Sequence, residues 1–219
     1  MDTLDRIEIA LQTVKKIAFK QEITYLGMGR EGVVFTDFFK VYKIFDGWET
    51  MSEFDNWQEM FGMDFNSIKN SIIDRIRMLC ENHSKTPFSW LPNKMEMICF
   101  SGIYFLRYEY VYSTPYTGGF SSNIVQMIKD LCGLQMMYGG FKPDSFRMFS
   151  NQLKLVDIGY DLRPFLKKAI CHNLQRAFLM MYWADHPNLR HLQRASKNDS
   201  SLPELSGFYK FLEQFGDII

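Results

Sequence analysis

Gly139-Gly140-Phe141-Lys142-Pro143-Asp144-Ser145-Phe146 leads within a few residues into Leu153-Lys154-Leu155-Val156-Asp157-Ile158-Gly159. The first segment sets two glycines, a Lys-Pro step and two oxygen-bearing side chains in a row. The second is an apolar run ending in an acid and a glycine. Residues 138–160 read as short extended pieces divided by turn residues. Upstream, Ser121 stands where a helix cap belongs, and Ile124, Ile128, Leu131 and Leu134 follow at helical spacing. Downstream, Leu166, Ile170, Leu174, Phe178 and Met181 mark a helix over 165–183. A polar break at 196–201 precedes a last predicted helix over 204–215, and residues 114–120, with Pro115, Gly118 and Gly119, read as a linker.

Leu4, Ile7, Leu11, Val14 and Ile17 predict an amphipathic helix over residues 1–20. Glycines at 27, 29 and 32 then lie between β-rich runs, so the chain reads strand, glycine turn, strand, short turn at Thr36-Asp37, strand. A helix over 64–82 shows Ile68, Ile72, Ile76 and Leu79 on one face, and 95–112 reads as two strands around Ser101-Gly102. This order predicts an α+β architecture of two lobes with a cleft between them. Residues 1–113 form the β-rich lobe, 114–120 the hinge, and 121–219 a reduced helical lobe.

In Gly27-Met28-Gly29-Arg30-Glu31-Gly32 the glycines allow a close backbone approach to a ligand. A dinucleotide fingerprint would open a helix directly after them, whereas Val33, Val34 and Phe35 favour a strand. A plain glycine-rich hairpin satisfies the same residues. Lys43 lies inside the apolar run Val41–Phe45, where a lysine is costly without a partner. The alternative is a lysine that snorkels to the surface at a strand edge.

Across residues 22–160 these segments resemble, in order, the motifs of the protein-kinase-like family. The glycine turn resembles its phosphate cover and Lys43 its strand lysine. Arg107-Tyr108-Glu109-Tyr110-Val111 resembles the strand that runs into the hinge. Lys142-Pro143 matches the catalytic loop H-R-D-L-K-P-x-N, with Ser145 at the Asn position, and Asp157-Ile158-Gly159 resembles D-F-G. The resemblance implies ATP and Mg²⁺ as cofactors. It implies that Gly27, Gly29, Gly32 and Val34 cover the phosphates and that Lys43 holds them. Glu109 and Val111 would bind adenine through their backbone, Lys142 would line the site, and Asp157 with Ser145 would ligate Mg²⁺, a hard ion suited to oxygen donors. Lys43 is expected to pair with an acid on the following helix, with Asp74 first, then Glu59 and Glu81.

The pattern breaks at H-R-D, which is Tyr138-Gly139-Gly140 here, so the position of the proton-accepting aspartate carries no side chain. Asp144 is the nearby acid that could swing in. Sixty residues follow Gly159 (219 − 159) and show no A-P-E, so the usual peptide-docking platform is not expected. The last third also resembles kinase-like modules of surface-polysaccharide assembly. These readings leave two functions. One is an atypical phosphotransferase acting on a protein or saccharide hydroxyl. The other is a catalytically dead pseudokinase working through protein contacts.

Lys plus Arg and Asp plus Glu each number 25, a formal net charge of zero, which argues against bulk-charge binding to nucleic acid or an anionic membrane. No membrane span and no signal peptide are read. Cys80, Cys99, Cys132 and Cys171 match no zinc spacing and suit a reducing, cytoplasmic setting. The histidines, His83, His172, His186 and His191, show no metal-ligand pattern.

Overall fold

Val33-Val34-Phe35-Thr36 and Lys40-Val41-Tyr42-Lys43-Ile44 are rich in β-branched and aromatic residues, which fit a pleated surface, and they form paired strands. The computed structural model describes residues 3–48, 62, 64–119, 121–185 and 205–219. The chain divides into two units, Met1–Pro87 with Pro92–Tyr112, and Phe88–Leu91 with Ser113–Ile219. Both units combine helices with antiparallel strands, so the fold is α+β.

The first unit contains α1 (Thr3–Ala18), β1 (Thr24–Met28), β2 (Val33–Thr36), β3 (Lys40–Ile44), α2 (Phe65–Lys85), β4 (Glu96–Phe100) and β5 (Ile103–Glu109). Its strands form an antiparallel sheet in the order β1-β2-β3-β5-β4. The β1–β2 register slips at a bulge between Tyr25 and Gly27. Ala10 and Val14 of α1 pack on Val33, Phe35, Tyr42, Ile44 and Phe105, each large apolar side chain contributing about 1.5–3 kcal/mol on full burial. The β2–β3 turn is closed by side chains: Asp37 Oδ1 accepts from the N–H groups of Phe39 (2.9 Å) and Lys40 (2.7 Å). Asp64 caps α2 by accepting from Ser67 N at 2.9 Å, and Ile68, Ile72, Ile76 and Leu79 form its buried face.

The second unit contains β6 (Thr114–Pro115), α3 (Ser122–Gly133), β7 (Met136–Tyr138), a 3₁₀ turn (Pro143–Ser145), β8 (Phe146–Phe149), β9 (Gln152–Leu155), β10 (Leu162–Pro164), α4 (Lys167–Trp183) and α5 (Leu205–Glu213). β8 and β9 form a hairpin whose loop residues, Ser150 (φ 45°) and Asn151 (φ 67°), both take the left-handed conformation of a type I′ turn. β7 and β10 form a separate antiparallel pair. Ile124, Met127, Ile128 and Leu131 bury one face of α3, and Ile170, Leu174, Ala177 and Met181 one face of α4. Phe208 and Phe211 pack against Phe178 at centroid distances of 5.4 and 5.7 Å.

Part of the predicted linker is strand instead. Thr114 and Pro115 pair with Met148 and Arg147. This is an edge position, where a proline without an N–H is tolerated. Tyr116 is buried and donates to Gly119 O at 2.5 Å. Phe88–Leu91 belongs to the second unit because Leu155 N donates to Trp90 O (2.8 Å) and Trp90 Nε1 donates to Asp130 Oδ2 (2.7 Å). Among the described residues, no helix is long and apolar enough to cross a membrane.

Candidate functional site

In the first unit the glycine turn joins β1 to β2, as read from sequence. The Gly29 N–H donates to Gly32 O at 2.9 Å, tightening it. Gly32 is required sterically, since a Cβ there would lie 1.9 Å from the Ile44 carbonyl oxygen. Gly27 and Gly29 have open space around the same point. Val34 lies opposite Lys43 in the β2–β3 register.

Lys43 is 4% exposed and points inward. Its Nζ donates to Glu31 Oε1 at 2.6 Å, and Trp48 Nε1 donates to Glu31 Oε2 at 3.2 Å. Nζ also lies 5.4 Å from the centroid of the Phe45 ring, which stacks on Trp48. Among the described residues the acid at Lys43 is Glu31, from the glycine turn itself, and not Asp74. Asp74 lies on the face of α2 opposite its buried isoleucines, is 72% exposed, and pairs with Arg77 at 3.6 Å. Glu81 is also exposed, and Glu59 lies outside the described residues. Glu31 was open to sequence reading only as an acid flanked by turn glycines. Its contact with Lys43 depends on how the hairpin closes.

Glu109 ends β5, and its backbone N–H donates to Asn93 O at 3.0 Å. Its carboxylate pairs with Lys94 at 3.1 Å, and that hydrogen bond, with one from Asn93, holds it below the usual carboxylate range. Val111 is exposed.

In the second unit four predicted residues come together. The backbone N–H groups of Val156 and Asp157 both donate to Ser145 O, at 2.9 and 3.3 Å. Tyr138 Oη donates to Asp157 O at 2.9 Å. These bonds set the Asp157 carboxylate 2.9 Å from Lys142 Nζ, where it also accepts from Ser145 Oγ at 3.4 Å. Asp144 is 63% exposed and 3.9 Å from Lys142. Burial pushes the Lys142 ammonium down, but the charge and hydrogen bond of Asp157, with the charges of Asp144 and Asp161, outweigh it and hold the group above its ordinary value.

Among the described residues, no three His, Cys, Asp or Glu side chains converge as a metal cage. The donor set here is one carboxylate and one hydroxyl. That fits Mg²⁺, which uses one or two carboxylates together with phosphate oxygens and water. Sequence reading did not single out Asp161, whose Oδ1 accepts from Arg163 Nη2 at 3.1 Å beside the glycine pair.

No protein-family model matches the chain, and no curated protein matches it. Among solved structures, the chain is similar to the kinase domain of Mycobacterium tuberculosis PknI at 13% identity and a TM-score of 0.43, over 74% of this chain and 69% of that one. It is similar to ADP-bound aminoglycoside phosphotransferase APH(2'')-Ib at 10% identity and a TM-score of 0.42, over 94% and 95%. The streptomycin-ATP-APH(2'')-IIa ternary complex gives 12% identity and 0.42, over 98% and 96%.

Proposed function

We propose that the chain binds ATP with Mg²⁺ and acts as an atypical kinase-like phosphotransferase, moving the γ-phosphate to a protein or saccharide hydroxyl. The observation that carries this reading is the buried Lys43. It sits on the third strand of an antiparallel sheet whose first hairpin turn is rich in glycine, and it is paired with an acid of that turn. A buried lysine–carboxylate pair adds little net stability against an apolar pair of similar size, so its presence favours a functional reading.

In this reading the backbone of residues 29–32 covers the phosphates and Lys43 contacts them. An ammonium has three N–H donors, so one carboxylate and one phosphate can be held together. The Glu109 N–H already serves Asn93, so adenine recognition falls to the Glu109 carbonyl and the Val111 backbone. Asp157 and Ser145 are the oxygen donors to Mg²⁺, which when bound neutralises charge developing on the transferred phosphate. Lys142 steadies the Asp157 carboxylate in the absence of the metal.

Thermal unfolding with and without ATP, each with and without Mg²⁺, tests this. A ligand at 100 times its dissociation constant stabilises the native state by about 2.7 kcal/mol. For a chain of this size that is a rise of roughly 5–10 °C. A magnesium-dependent rise that disappears in Asp157→Ala is the expected outcome. No rise at millimolar ATP overturns the reading.

A second reading, a pseudokinase scaffold, is favoured by the missing carboxylate at Gly140 and by the engagement of Asp157 with Lys142. ATP binding without any ADP formation would support it.

A further inference from the structure

We infer that Asp161 supplies the proton-accepting carboxylate that Gly140 lacks, an assignment that rests on the phosphotransfer reading above. The resembled motif has a basic and then an acidic side chain where this chain has Gly139 and Gly140. β10 runs antiparallel to β7 with Leu162 opposite Tyr138, and the Gly139 N–H donates to Asp161 O at 2.8 Å. This ladder brings Arg163 and Asp161 against the two glycines. A Cβ on Gly139 would meet Arg163 Nε at 2.7 Å and Cζ at 2.8 Å. A Cβ on Gly140 would meet Asp161 Oδ2 at 2.5 Å and Tyr138 Oη at 2.6 Å. A guanidinium thus stands where residue 139 would carry its side chain, and a carboxylate where residue 140 would.

From that Cβ point, Asp161 Oδ2 lies about as far as an aspartate's own carboxylate oxygen lies from its Cβ. The pair stands on the neighbouring segment, Arg163 in β10 and Asp161 one residue before it, against the two glycines. Arg163 Nη2 holds Oδ1 at 3.1 Å, which fixes the carboxylate with Oδ2 on the Gly140 side. The Asp161 side chain is 18% exposed, screened but reachable, whereas Asp144 is 63% exposed.

In the step, the acceptor hydroxyl oxygen bonds to the γ-phosphorus. The bond from that phosphorus to the ADP oxygen breaks, and its electron pair leaves with ADP. The hydroxyl proton passes to Asp161 Oδ2 and from there to solvent.

The probe is magnesium-ATP with water as the acceptor, read as ADP formation, beside ATP binding read by thermal shift. Asp161→Asn keeps the size of the side chain and removes its basicity. ADP formation is expected to fall about 10²–10⁴-fold, with the ATP-induced shift of the parent chain retained. Asp161→Glu keeps the carboxylate on a longer arm and is expected to retain more of the rate than Asp161→Asn. An Asp161→Asn chain that forms ADP as fast as its parent overturns the assignment and leaves the phosphotransfer reading standing. A parent chain that shifts with ATP but forms no ADP overturns both the assignment and transfer, leaving binding. Should Asp161→Asn not fold, Asp161→Ala decides: folded, ATP-binding and inactive, it supports the assignment; as active as the parent, it overturns it.

Discussion

Two lysine–carboxylate pairs carry the proposed chemistry, and they differ mainly in their access to water. The Glu31 and Lys43 side chains are 11% and 6% exposed, whereas those of Asp157 and Lys142 are 29% and 34% exposed. In the first pair little water competes with the bond between the two groups, so breaking it is costly. It ties the glycine turn to β3 as well as presenting an ammonium. In the second pair water competes for both groups, and an exposed pair is worth about 0–1 kcal/mol. A group held that loosely can exchange its partner for a metal ion. One pair is therefore built into the sheet, and the other is available for ligand exchange.

Breaking the buried pair should give the largest effect. Glu31→Ala removes the carboxylate bonded to Lys43 Nζ and should cost about 3–5 kcal/mol, read as the urea midpoint. Glu31→Gln with Lys43→Met should recover most of that loss. An equal loss in the single and double variants would mean that burial of the pair is not the cause. Gly32→Ala comes next: a methyl 1.9 Å from the Ile44 carbonyl must move β3, at about 1–3 kcal/mol.

The pairs and their neighbourhoods should also separate by pH. At the β2–β3 turn of the sheet that carries the first pair, burial alone would push the Asp37 carboxyl up. The N–H groups of Lys40 and Phe39 and the Lys20 ammonium outweigh it and hold the carboxyl below its ordinary 3.8. The folded chain binds that proton less tightly than the unfolded one. The stabilisation is therefore present above pH 3.8 and lost as pH falls past it. Lys142 is shifted the other way, above its ordinary 10.5, so its contribution is complete below pH 10.5 and lost as pH rises beyond it. Asp37→Asn should flatten the acid limb of the unfolding profile alone, and Lys142→Met the alkaline limb alone. The smallest effect is expected from Gly29→Ala. A Cβ there meets nothing within 4 Å, so stability should change by less than about 0.5 kcal/mol. Any loss of the ATP-induced shift in that variant then reports on the ligand rather than on the sheet.

The helices were legible because their signal is local. Ile68, Ile72, Ile76 and Leu79 mark one face of α2 by spacing alone, and all four are buried. The glycine turn and the lysine strand were legible for the same reason. Contacts set by closure of the chain were not. The Glu31–Lys43 bond spans 12 residues and depends on the turn folding back over β3. Asp74 had the right residue type on the right helix but the wrong face. Asp161 was invisible because its meaning lies in what Gly140 lacks, and the β7–β10 ladder joins the two positions. Thr114 and Pro115 read as linker because two residues are too few to show alternation, yet they pair with β8.

The bulge between Tyr25 and Gly27 has a bearing on solubility. β1 is the outer strand of the five-stranded sheet, and Tyr25 and Leu26 lie exposed on it. A straight apolar border of this kind would offer unpaired backbone groups to a second molecule and seed aggregation. The register slip adds twist to the strand and breaks the regular row of donors and acceptors. The irregularity that leads into the glycine turn thus also caps the sheet against growth by strand addition.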